Sequence, residues 1–161
     1  MKATVLLERQ HRNLQQLCEA VERGSMRIRE SLLPQLAGDL AAHIAVEEQV
    51  LYPAACEASR EEKLIQFSRS RHAEIMESLE CMLRAPLDGD EFTRAIGALR
   101  NVVELHAEEQ EELLFPQMEG VLDRSTLRRL GQSMLAVYHV KVEAGYAREL
   151  DLSHEPNTAR V

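Results

Sequence analysis

The chain has 161 residues, 45% hydrophobic and 4% aromatic with no Trp, and carries a formal net charge of -8. That length suits one domain whose core needs neither a disulfide nor a metal merely to fold. An acidic balance without a block of Lys and Arg excludes a nucleic-acid footprint, and no stretch approaches the roughly 18 apolar residues of a membrane span.

The first segment, MKATVLLERQHRNL, turns charged too early for a signal peptide, so a cytoplasmic protein is expected. Leu7, His11, Leu14, Cys18 and Val21 recur at steps of three and four, which predicts a first helix with Gly24 as its stop. A second helix is expected to open near Pro34, where a fixed φ suits the first turn. Its stripe runs Leu36, Leu40, His43, Glu47, Val50, Leu51 and Ala54, and Pro53 should bend or end it.

The third stripe is Ile65, Ser68, His72, Ile75, Leu79 and Met82, followed by the turn-like APLDGD at 85 to 90, where Asp90 can cap the next helix. A fourth stripe takes Phe92, Ile96, Leu99, Val103, His106, Gln110 and Leu113 and closes near Pro116 and Gly120. The fifth helix starts around Ser125 and carries Leu127, Leu130, Met134, Val137, Tyr138 and Val142. The expected architecture is all-α: an up-down-up-down antiparallel four-helix bundle with an additional C-terminal helix, spanning 1–150, and a frayed tail at 151–161.

Two stretches echo each other: HIAVEEQVLYP at 43 to 53 and HAEEQEELLFP at 106 to 116. His11 and His43 stand 32 residues apart (43 minus 11) and His72 and His106 stand 34 apart (106 minus 72), so each half reads as one helical hairpin with one His per helix. Four imidazoles and the carboxylate of Glu47 thus lie on inward stripes, where burial without partners costs several kcal/mol unless they converge on a cation. Glu47 follows His43 by four residues and leaves the same helix face one turn later, a spacing that suits two ligands of one metal. Imidazole with carboxylate suits iron, manganese or zinc, whereas oxygen alone favours calcium or magnesium.

Other chemistries lack their signatures. HExxH is absent, only Glu8 with His11 has the Glu-x-x-His spacing of ferritin-like carboxylate bundles, and no GxSxG, P-loop or dinucleotide glycine pattern occurs. Cys18, Cys56 and Cys81 are an odd number without CxxC spacing and read as ordinary helix residues.

His11, then His43-x-x-x-Glu47-Glu48-x-x-Leu51-Tyr52-Pro53, then His72, then His106 through Leu114-Phe115-Pro116 resemble the hemerythrin-like, HHE cation-binding domain over roughly residues 4 to 118. The resemblance implies a four-helix bundle around a non-haem di-iron centre with bridging carboxylates, and His11, His43, Glu47, His72 and His106 as ligands. It implies a protein that binds or senses O2, NO or peroxide. An iron redox enzyme of peroxide removal or iron-cluster repair, and a regulatory module stapled by zinc, are the alternatives. No output domain is visible in the sequence, so sensing would require a separate protein partner.

Two departures from the family pattern stand out. Gln110 occupies the place matching Glu47, and a neutral carbonyl is a poor bridge between cations. Glu111 completes the bridge if a single π turn rotates an i+5 residue inward; in a regular helix Glu111 faces solvent and Gln110 points in. Met76, four residues after His72, stands where the oxygen-carrying branch has another His, which leaves more open positions and favours sensing or redox chemistry over reversible oxygen carriage. His139, on the fifth helix, could supply the missing donor if that helix crosses the bundle mouth. Tyr52 and Phe115 are expected to pack at the hairpin ends, with Tyr52 also able to donate a hydrogen bond near a metal.

Overall fold

Helical spacing of apolar residues becomes helix along the whole of the computed structural model, which describes residues 1–59 and 62–152 and contains no strand among them. Helix α1 is Ala3–Arg23 and α2 is Met26–Val46. A π-helical turn, Glu47–Leu51, joins α2 to α3, Tyr52–Ser59. Then come α4, Glu62–Arg84, and α5, Asp90–Glu109. A second π turn, Gln110–Leu114, leads into α6, Phe115–Val121, and α7 is Arg124–Leu152. Of the expected tail 151–161, residues 153–161 lie outside the described residues.

Four rods form the antiparallel bundle: α1, α2 with its continuation α3, α4, and α5 with its continuation α6. Helix α4 packs along α5, and α1 packs between α2 and α5. Helix α7 lies outside this bundle against α1 and α2. Close approach there requires Gly131, because a Cβ would stand 2.6 Å from the Met1 carbonyl oxygen and 3.1 Å from the Ala3 nitrogen.

Helix α2 begins eight residues earlier than Pro34 suggests, and Pro34 sits inside it. Its ring is exposed, so the carbonyl it leaves unpaired is free to take water, which removes much of the usual cost. Arg29 holds this early stretch in place. Its guanidinium donates to the Val21 and Glu22 carbonyls at 3.3 and 3.2 Å and to the Leu87 carbonyl, and it lies 4.6 Å from the Phe92 ring centre. One side chain thereby satisfies the open carbonyls at the end of α1 and ties the first hairpin to the loop before α5. Asp90 is the first residue of α5 and Gly89 holds the cap position, so the carboxylate there faces the helix dipole without a capping hydrogen bond.

Neither Pro53 nor Pro116 ends its rod. Each falls one residue after the π turn closes, through Tyr52 N–H to the Glu47 carbonyl and Phe115 N–H to the Gln110 carbonyl. A widened turn carries the chain past a residue that cannot donate. It also shifts the helix phase by one residue. Leu114 is fully buried and Leu113 is 49% exposed, the reverse of the expected stripe, and Ala55 rather than Ala54 enters the core.

The core has two apolar clusters. Leu14, Cys18, Leu36, Leu40, Ile75, Leu79, Phe92, Ile96 and Leu99 belong to one, and Leu7, Val46, Leu51, Tyr52, Ile65, Leu114, Phe115, Met118 and Met134 to the other. Every bundle rod passes from one cluster to the other, and every one crosses between them through a His. The three cysteines are unpaired: Cys18 is buried, Cys56 half-buried and Cys81 exposed.

Asp39 fastens α7 to this frame. Its carboxylate accepts from Asn13 Nδ2 of α1 at 3.1 Å and from the Tyr138 hydroxyl of α7 at 2.9 Å. In an Asp39→Ala variant both donors lose that acceptor, and a loss of about 1–3 kcal/mol of unfolding free energy is expected in urea titrations. Wild-type stability would show that apolar packing alone docks α7.

Candidate metal centre

The polar layer is built by four helices and is buried. His11 lies one turn from both Leu7 and Leu14 on α1, His43 occupies the last turn of α2, His72 sits mid-way along α4, and His106 occupies the last turn of α5. All four imidazoles are buried, and Glu47 and Gln110 are fully so. The backbone N–H of Glu47 bonds to the His43 and Ile44 carbonyls, and that of Gln110 to the His106 and Ala107 carbonyls. The chain is therefore still in α-helical register when it reaches these two residues, and both point inward with the preceding His.

Glu47 is the centre of the arrangement. Its Oε1 lies 3.1 Å from His43 Nε2 and 3.9 Å from His11 Nε2. The other oxygen, Oε2, lies 2.9 Å from His72 Nε2 and 3.3 Å from His106 Nε2. Oε2 also accepts from the Tyr52 hydroxyl at 2.7 Å and from Gln110 Nε2 at 2.8 Å, and Gln110 Nε2 is 3.0 Å from the Tyr52 oxygen. One carboxylate thus divides four imidazoles into two pairs.

The outer edges of the rings are held differently. His11 Nδ1 stands 2.9 Å from Glu111 Oε1, and the Phe115 ring stacks on the imidazole at 5.9 Å with 5° between planes. His72 Nδ1 stands 3.0 Å from Glu48 Oε1, and Tyr52 stacks on it at 5.4 Å and 23°. His43 Nδ1 meets Gln10 Oε1 at 3.0 Å. His106 Nδ1 is buried with no hydrogen-bond partner.

Electrostatics follow from burial around one anion. Burial pushes His43 down to about 4, a shift that neighbouring Glu47 only partly offsets, so its imidazole is neutral at pH 7. Burial alone would raise Glu47, yet the His43 and His106 rings beside it hold it well below the usual carboxylate range. For His72 burial would favour the neutral ring, but Glu47 and Glu48 together shift it upward. Burial and then Glu47 push the Tyr52 phenol up, so it serves as a hydrogen-bond donor.

The donors fit a cation. His11, His43 and His106 with Glu47 offer ligand atoms that all lie within 4.8 Å of one another. Among them His11 Nε2, His43 Nε2, His106 Nε2 and Glu47 Oε1 are buried and make no well-aligned hydrogen bond. Each such atom costs roughly 1–3 kcal/mol when left without a partner, and cation binding among them would remove the deficit. A neutral imidazole beside an ionised carboxylate is the donor state that a divalent metal requires.

Among the expected site residues, His11, His43, Glu47, His72 and His106 meet in this layer. Glu111 is on the far side of His11, at the nitrogen pointing away from Glu47. The π turn is present, but it begins at Gln110, too late in the chain to move Gln110 from its inward place. Met76 is 37% exposed and His139 is exposed beside Tyr138 on α7, so neither faces the four imidazoles. Gln10 and Glu48 are partners that single-helix periodicity does not reveal. Glu48 carried a visible signal nonetheless: it stands five residues after His43, as Glu111 does after His106.

Gln10 also lines a cleft of about 220 Å³ between α1 and α7, with Leu6, Leu135 and Tyr138 among its other walls.

The family model described as the hemerythrin HHE cation-binding domain matches residues 2–125. The uncharacterized protein Rv2633c of Mycobacterium tuberculosis is 27% identical over 139 residues, covering 84% of either chain, and the uncharacterized protein Mb2666c of Mycobacterium bovis matches to the same extent. The crystal structure of an HHE cation-binding domain-containing protein, the Rv2633c homolog from Mycobacterium kansasii, superposes with a TM-score of 0.80 over 89% of each chain at 24% identity, a likeness of fold.

Proposed function

This chain belongs to the hemerythrin HHE cation-binding family, and from that premise we propose that it is a non-haem iron protein that holds two irons and binds or senses O2, NO or peroxide. The observation that carries the proposal is the division of four imidazoles by Glu47. His11 and His43 gather at Oε1, and His72 and His106 at Oε2, so each pair of imidazoles would help hold one iron with Glu47 shared between them. Iron so bound would supply the exchange of small ligands and of electrons.

The chain's own residues supply the rest. Apolar clusters above and below keep bulk water from the layer, which strengthens every charge interaction inside it. Gln110 brings a neutral amide where the first motif brings an anion, leaving the His106 side with less negative charge. The Tyr52 hydroxyl donates a hydrogen bond to Glu47 Oε2 and stands 3.1 Å from His72 Nε2, so it would be a donor beside the metal. No helix of the described residues is long and apolar enough to cross a membrane.

A second reading, an iron redox catalyst that removes peroxide or repairs iron clusters, is favoured by the same Tyr52, a phenol in contact with two expected ligands. Reconstitution with ferrous iron, followed by metal analysis and by absorption and Mössbauer spectra under oxygen, nitric oxide and peroxide, separates the readings. The proposal expects about two irons per chain and spectra that change reversibly with a small ligand. Sustained peroxide turnover selects the catalytic reading. A chain that retains zinc alone and ignores all three ligands overturns both.

A further inference from the structure

We propose that Glu48 and Glu111 are a matched pair of positioning residues, each reaching from the ligand-bearing end of one hairpin to fix the imidazole on the first helix of the other. This rests on the reading of the histidine layer as a metal centre and assigns its supporting carboxylates.

The correspondence is complete at three levels. In sequence, both residues stand five after the His of their motif, directly after Glu47 or Gln110. In backbone, both belong to the π turns, at the same second position of Glu47–Leu51 and Gln110–Leu114. In contact, Glu48 of the first hairpin meets His72 Nδ1 of the second at 3.0 Å, and Glu111 of the second meets His11 Nδ1 of the first at 2.9 Å. Aromatic residues repeat the crossing: Tyr52 stacks on His72 and Phe115 on His11. Each crossing imidazole is thus held by its edge and by one face from the opposite hairpin.

The chemistry follows from what an imidazole can do. A carboxylate at Nδ1 requires the proton there, which leaves Nε2 as the nitrogen that would coordinate a metal beside Glu47. His43, whose Nδ1 faces the neutral Gln10, and His106, whose Nδ1 has no partner, lack that anionic backing. Each oxygen of Glu47 therefore faces one carboxylate-backed imidazole and one without. Both carboxylates are about one third exposed, and Arg69 donates to Glu48 at 2.9 Å, so the pair forms the rim between the buried layer and solvent.

The test begins without metal. In the full-length metal-free chain, side-chain nitrogen NMR should find the His11 proton on Nδ1, and Glu111→Ala should move it toward Nε2, while Glu111→Gln, whose amide oxygen still accepts, keeps it. In chelator competition, Glu48→Ala and Glu111→Ala should each weaken metal binding by roughly 10–100-fold at unchanged helix content, with the Gln variants in between. A wild-type His11 proton position and wild-type affinity in both Ala variants overturn the proposal. So does a Glu111→Ala chain that loses one whole metal equivalent at saturation with His11 unmoved, since that marks a direct ligand. If the wild-type chain takes up no metal, the function proposed above fails, and the metal-free proton position still decides the orienting role.

Discussion

A Glu47→Gln variant reconstituted with iron is expected to hold less than one metal per chain while keeping its helical content. Within the buried group of candidate ligands among the described residues, Glu47 is the carboxylate and the rest are imidazoles. Its two oxygens lie within 3.9 Å of all four rings, and it is wholly shielded from water. A divalent ion placed among neutral donors in such a site meets the full cost of a buried, uncompensated charge. The loss should exceed the 10–100-fold typical of removing a merely supporting group. Because Gln has the same shape and can still accept from Tyr52, folding of the metal-free variant should be little affected. Metal analysis beside circular dichroism reads both halves, and wild-type iron content in the folded variant would remove Glu47 from its central role.

The converse change, Gln110→Glu, is expected to pull stability in opposite directions with and without metal. Gln110 Nε2 now donates to Glu47 Oε2 at 2.8 Å and is fully buried. A second carboxylate at that place loses the donor and sets like charges against each other in a buried layer. The metal-free variant should be destabilised by about 3–5 kcal/mol, the scale of an uncompensated buried charge. With metal bound the same oxygen becomes an anionic donor, completing the symmetry of the two motifs, and most of the loss should be recovered. Thermal unfolding of both forms decides it. Equal destabilisation in each would mean that position 110 faces no metal.

The two variants probe the place, buried in both repeated motifs, where the first carries a carboxylate and the second an amide. Beside it stands a second difference, Tyr52 against Phe115, so the first hairpin brings a carboxylate and a hydroxyl where the second brings an amide and a plain ring. The backbone treats both alike, with an α-helical approach, a π turn and a proline just beyond. A symmetric scaffold thus presents asymmetric chemistry to the layer between the hairpins.

Much of this is legible in the amino-acid sequence. The step of three and four placed His11, His43, His72 and His106 on four inward faces, because a single helix has a known period and an apolar stripe must be buried. The echo of 43 to 53 in 106 to 116 disclosed two hairpins, and the i+4 spacing put Glu47 and Gln110 beside their histidines. These are properties of one helix at a time, so the order of residues alone determined them, along with the all-α class and the four-helix bundle with its fifth helix.

Only the tertiary structure decided what happens between helices and after the π turns. The extra residue of each π turn shifts the phase, so Leu114 and Ala55 are buried where Leu113 and Ala54 were expected. Glu111 meets His11, and Glu48 meets His72, across the gap between hairpins. Gln10 meets His43 from the neighbouring helix. Such contacts depend on the height and rotation of one rod relative to another, which packing of the whole core sets and which no periodicity within a single helix encodes.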